Sequence, residues 1–210
     1  MSTPLNLRAI ASTLAAVATA AALSACAPLI VGGAMVGGAM MATDRRSSGA
    51  QVEDQAIELK AIGRVSEAIG DRGHVNVTSY NRLVLITGEV PTEADRVAVE
   101  QGISRIENVR SVVNELAVMG NSSLSARSND AILSGQVKAA FIDAKELQSN
   151  SLKVVTERGV VYLMGRVTEH EAAMATERAR GIGGVLKVVR VFEIVTEAEL
   201  AELQPKAPAK

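Results

Sequence analysis

An internal repeat constrains this chain more than any other feature. The string LVLITGEV at 83–90 lines up with VVYLMGRV at 160–167, an offset of 77 residues. Past one extra residue, Pro91, the offset becomes 76, and Thr92-Glu93 meets Thr168-Glu169. At that offset Ile106 meets Ile182, Val109 meets Val185, Val112 and Val113 meet Val188 and Val189, and Leu116 meets Phe192. Self-similarity at a fixed period means one supersecondary unit used twice. Whatever fold serves the first copy must therefore serve the second.

Each copy reads the same way. Apolar periodicity predicts a helix over 54–69 and again over 129–144. Two β runs follow, 75–78 with 83–87 and 152–156 with 160–164, each pair folded around a turn former, Asn81 or Gly159. A second helix is expected over 92–106 and 168–182. Thr92 with Asp95, and Thr168 with Glu171, have the spacing that satisfies free N–H groups at a helix start. A last strand spans 111–118 and 187–195. The order α-β-β-α-β predicts an α+β fold, two tandem modules each with a three-stranded sheet packed on two helices on one face. Modules this small bury little surface, so the pair is expected to support each other. Gly88 and Gly165 hold equivalent places after the central strand. They read as structural glycines that need positive φ or a close backbone approach, since no phosphate-binding glycine pattern surrounds either.

The N-terminal part sets a different kind of constraint. Arg8 precedes an uncharged apolar run over 9–23, which fits a secretory signal and is too short for a spanning helix. Leu23-Ser24-Ala25-Cys26 then resembles a bacterial lipobox, with cleavage before Cys26 and lipidation of that only cysteine. The next residue is Ala27 rather than Asp, which points to the outer membrane. The run APLIVGGAMVGGAMMA at 27–42 is broken by two glycine pairs and makes a poor spanning helix. The organisation expected is a signal peptide over 1–25, a lipid-anchored Gly-rich tether over 26–51 and a first module over 52–118. A polar linker over 119–128, a second module over 129–196 and a disordered tail over 197–210, with Pro205 and Pro208, complete it.

Composition narrows the chemistry. The formal net charge is −1, Trp is absent, and there are two Tyr and two Phe, so neither a strong field nor stacking platforms favour nucleic acid. His74 and His170 are the only imidazoles, and neither has metal-ligand spacing along the chain. No nucleophile-elbow or Ser-x-x-Lys signature is present. The reading is a non-enzyme with no cofactor and no metal.

The strings ITGEV and LMGRV after a hairpin, then a helix, then VRSVVN or VLKVV, resemble a BON domain. ATDRRS at 42–47, NVTSY at 76–80 and VVTERG at 154–159 extend the likeness to nearly all of the chain past the lipobox, and to the dual-BON outer-membrane lipoproteins. That resemblance implies a periplasm-facing lipoprotein, phospholipid binding as its activity, and a part in envelope integrity. It also implies that the first helix of the second module faces lipid.

The residues offer a surface for that role. Residues 55–118 hold seven Lys/Arg against nine Asp/Glu, while residues 127–196 hold ten against eight, so an anionic membrane should prefer the second module. At about 100° per residue, Leu133, Val137, Ala140 and Phe141 make one core-facing stripe. Ile132, Gly135, Lys138, Ala139 and Ile142 fall mostly on the other side, where two isoleucines beside a lysine suit a headgroup layer. The aromatic anchor common at such surfaces is missing, and Ile132 stands where one could sit. The alternatives are a protein–protein adaptor gripping an envelope protein, or a structural component of an envelope assembly.

Overall fold

The computed structural model describes residues 44–144 and 146–203. The expected signal, Cys26 and the tether up to residue 43 lie outside the described residues, as do residues 204–210.

The first module runs α1 (Ser48–Ile69), β1 (His74–Tyr80), β2 (Leu83–Val90), α2 (Glu93–Ser104) and β3 (Ser111–Val118). The second repeats it as α3 (Leu124–Asp143), β4 (Leu152–Glu157), β5 (Val160–Val167), α4 (Glu169–Arg180) and β6 (Lys187–Ile194), with a short α5 (Glu197–Leu203) behind. In each sheet the second strand is central, antiparallel to the first and parallel to the third. The fold is α+β, with one three-stranded sheet and two principal helices per module.

Alternation along the central strands explains the layers. Val84 and Ile86 pack with Ile57 and Ala61 of α1 and with Val99 and Ile103 of α2. Val161 and Leu163 pack with Val137 and Phe141 of α3 and with Ala172 and Ala175 of α4. The intervening residues point the other way. Leu85, Tyr162 and Met164 join Tyr80 and Val191 in a third core that draws on both sheets. Strands buried on both faces need apolar residues at every step, and both central strands begin as such runs. The layering is helix, sheet, sheet, helix, within one compact unit. Burying one such large side chain contributes roughly 1.5–3 kcal/mol, so the seam supplies stability that either module alone would lack.

Polar ties also cross the seam. The Tyr80 hydroxyl donates to the Ser151 carbonyl at 3.1 Å, Asn81 Nδ2 donates to Glu193 at 2.7 Å, and Lys153 Nζ reaches Glu58 at 2.8 Å. Arg110 meets the same Glu193 carboxylate at 3.0 Å.

Both hairpins use two-residue loops whose residues all have positive φ: Asn81 and Arg82 at 50° and 66°, Arg158 and Gly159 at 52° and 74°. That backbone twist matches the flanking strands. Each loop is held by a buried aspartate from the first helix of its module. Asp54 accepts from Asn81 N at 2.7 Å and Arg82 N at 2.8 Å; Asp130 accepts from Arg158 N and Gly159 N, both at 2.8 Å. Gly88 has φ 115°, and a Cβ there would lie 2.0 Å from the His74 carbonyl oxygen. At Gly165 the same construction meets Ser151 O at 2.6 Å.

The largest departures from the sequence expectation lie at two helix starts and in the C-terminal segment. The helix expected from 54 starts at Ser48, where the Ser47 hydroxyl accepts from Ala50 N, and the one expected from 129 starts at Leu124, where Ser123 accepts from Ala126 N. Both caps are followed by alanine at the third helical position, so they lack the acidic partner that marks a capping box. Residues 197–203, expected as disordered tail, form α5. Thr196 and Glu199 cap it reciprocally, at 2.7 Å and 3.2 Å, and Leu200 is buried.

Candidate functional site

Helix α3 is held by one side and presents the other. Leu133, Val137 and Phe141 are buried and Ala140 is half-buried, while Asp130 ties the helix to the Arg158–Gly159 turn. Ile132, Gly135, Lys138, Ala139 and Ile142 are all exposed. Ile132 is 61% exposed and Ile142 67%. Leu124 at the start of the helix (80%) and Leu186 on the loop before β6 (79%) add to the apolar surface. Leu186 and Ile132 line the same groove of about 480 Å³, together with Arg158 and Asn129. A large apolar side chain held in water without a packing partner is the informative kind of exposure when several cluster.

A second polar group sits at the seam. Glu89 of β2 is fully buried and accepts from the Ser122 amide and hydroxyl, both at 3.2 Å, and from Arg158 at 3.3 Å. Burial pushes its carboxyl up, but the bonds from Ser122 and Arg158 outweigh that and hold it below the ordinary range. Glu157 of β4 takes one bond, from Asn76 Nδ2 at 3.0 Å. Burial, with the charges of Glu89 and Asp130 behind it, pushes the Glu157 carboxyl up.

The stretch Asp44-Arg45-Arg46-Ser47 forms a strap touching both modules. Arg45 donates to the Arg166 carbonyl at 2.7 Å and to both oxygens of Glu171 at 2.7 Å and 2.6 Å. Arg46 meets Asp54 at 2.8 Å and Asp44 at 2.7 Å, and its guanidinium lies 4.4 Å from the Tyr80 ring centre. Burial and the nearby Asp44 push the Tyr80 hydroxyl up to about 12.

Comparison with known proteins decides the family. The BON domain matches residues 54–120 and again residues 129–196. The chain belongs to the BON domain family. It is 36% identical over 174 residues to "Outer membrane lipoprotein DolP" of Haemophilus influenzae, covering 81% of this chain and 89% of that protein. It is 29% identical over 154 residues to a "21 kDa hemolysin" of Actinobacillus pleuropneumoniae, covering 72% and 79%. Among solved structures, CdsD, a structural protein of the Chlamydia trachomatis type III secretion system, overlaps 70% of this chain and 99% of its own at 11% identity and TM-score 0.25.

The five residues named on the outer side of α3 share one exposed face of BON module 2. Leu124 and Leu186 extend that surface without a sequence signal for it: one precedes the expected helix start and the other lies on a loop with no periodicity. His170 is exposed at the start of α4. His74, placed without ligand spacing in the sequence, comes beside Glu89 and Glu157 from other strands. Among the described residues, no helix is long and apolar enough to cross a membrane.

Proposed function

We propose that this BON protein is an outer-membrane lipoprotein, held on the periplasmic face by acyl chains on Cys26, whose second module binds anionic phospholipid and so supports envelope integrity. The observation that carries the reading is the outer face of α3, where Ile132 and Ile142 stand exposed beside Lys138 on a helix anchored by its opposite side. Apolar side chains can enter the acyl boundary while the ammonium meets headgroup phosphate. The match to a relative named as an outer-membrane lipoprotein supports the location. The family and the lack of a nucleophile signature support a non-catalytic role.

Flotation of the full chain, reconstituted by its anchor into neutral vesicles, tests this by asking whether those vesicles then capture a second population rich in phosphatidylglycerol. The reading expects capture that weakens with salt and is lost in Lys138→Glu with Ile142→Asp while the circular dichroism stays unchanged. The exposed stripe of α1, Leu59 and Ile62, is the internal control. Capture lost through Leu59→Asp with Ile62→Asp, and kept in the α3 variant, would assign the lipid surface to the wrong module.

A further inference from the structure

The seam holds a set of side chains that the lipid surface does not use. His74 opens β1, Glu89 lies near the end of β2 and Glu157 closes β4, so the three come from both modules. The register pairs His74 with Glu89 directly, and Gly88 lets β1 approach closely enough to bring them together. One imidazole nitrogen and one oxygen from each carboxylate all lie within 4.8 Å of one another. His74 Nδ1 is buried and makes no hydrogen bond; it stands 3.4 Å from Glu89 Oε2. That separation is long for a hydrogen bond, yet it matches the edge of a tetrahedron whose ligands sit about 2.1 Å from a central ion, about 3.4 Å. A cavity of about 280 Å³ opens onto His74 and Glu157, with Arg127, Asp130 and Ser134 in its wall, which gives an ion and its waters a way in.

We propose that His74, Glu89 and Glu157 bind one divalent transition-metal ion, Zn²⁺ foremost, bridging the two BON modules. One imidazole with two carboxylates is a borderline donor set that suits Zn²⁺; Ca²⁺ and Mg²⁺ favour all-oxygen shells. Two buried carboxylates on one small volume repel, and a dication offsets both. The supporting bonds are in place, since Ser122 orients Glu89 and Asn76 orients Glu157. Arg158 contacts the other Glu89 oxygen, and its side chain is 43% exposed, so it can yield toward solvent. Because the ligands are split between modules, ion binding and module docking are coupled. This inference does not rest on the lipid reading.

The full chain, purified in non-ionic detergent and stripped with chelator, is titrated with ZnCl₂ by calorimetry at neutral pH. The expected result is a stoichiometry near one and an affinity that drops at least tenfold in His74→Ala and in Glu157→Gln, with CaCl₂ far weaker. Glu157→Gln retains a group able to accept from Asn76, so it keeps the test readable if His74→Ala misfolds. Absence of Zn²⁺ binding overturns the proposal. So does binding that survives both variants and is lost instead in His170→Ala or Cys26→Ser.

Discussion

Arg45 and Glu171 meet through two parallel hydrogen bonds, 2.7 Å and 2.6 Å long, that fasten the strap to the first turn of α4. The two side chains are only 3% and 13% exposed. Glu171 also accepts from the Thr168 amide at 2.9 Å, so one carboxylate serves as capping-box partner and strap anchor together. Removing one member of a buried pair strands the other, a loss of roughly 3–5 kcal/mol. Arg45→Met should fall at the low end, about 3 kcal/mol in urea unfolding, because Glu171 keeps its cap. Adding Glu171→Gln should return more than half of it. A loss below about 1 kcal/mol would place the pair with ordinary surface bridges.

The same carboxylates set the response to acid. Glu171 and Glu193 are held below the ordinary 4.5, and Asp54 below 3.8; in each case burial pulls upward and hydrogen bonds from Arg45, Asn81 or Ser79 and their neighbours win. Their contribution is present above those ordinary values and lost as pH falls through the lower folded ones. Glu157 has the opposite sign. Its folded value lies above 4.5, so its contribution is present below 4.5 and lost as pH rises. Glu157→Gln in chelator should therefore stabilise the chain at pH 7 and lose that advantage near pH 4. Denaturant midpoints at a series of pH values check it; equal midpoint shifts at both ends would contradict the sign.

What was legible in the sequence follows from which forces are local. The repeat, the α-β-β-α-β order and the core stripe of α3 rest on period and spacing, and Leu133, Val137 and Phe141 are buried accordingly. Thr92 and Thr168 announced their helices through Asp95 and Glu171. Ser47 and Ser123 cap equally well but have no acidic partner, so the sequence does not mark those two helix starts. The docking of sheet on sheet was not readable, because Leu85 and Tyr162 carry no mark telling which neighbour will cover them. The same holds for Asp54 and Asp130. An aspartate on an amphipathic helix reads as solvated until the hairpin turn it binds is in place. His74, Glu89 and Glu157 are brought together by strand register across two modules, which no spacing rule along the chain contains.

Glycine substitutions separate backbone need from mere absence of a side chain. At Gly88 a methyl would meet the His74 carbonyl at 2.0 Å with φ at 115°, so Gly88→Ala must move β1 or break the β1–β2 ladder. A loss above about 3 kcal/mol is expected, from clash and left-handed strain together. Gly165→Ala, with its nearest contact at 2.6 Å, should lose less. Gly135 lies within α3 and a methyl there meets nothing. Gly135→Ala should gain about 0.5–1 kcal/mol from helix propensity. Thermal melts of the three variants give the ranking, and a destabilised Gly135→Ala would show that this face is packed rather than open.

Ile132 offers a gain-of-function test of the membrane reading. It is exposed on the outer face of α3 and shares a groove with Leu186, where no aromatic side chain stands. Trp prefers the headgroup boundary, since its ring is apolar and its indole N–H can meet water or phosphate. Ile132→Trp should therefore strengthen capture of anionic vesicles several-fold while leaving stability within about 0.5 kcal/mol, as surface changes usually do. Indole fluorescence supplies a second readout, because the chain has no other Trp. A blue shift on adding anionic vesicles, absent with neutral ones, places residue 132 at the acyl boundary. An unshifted spectrum with unchanged capture would mean that this face of α3 stays in water, and the lipid surface would have to be sought elsewhere on the modules.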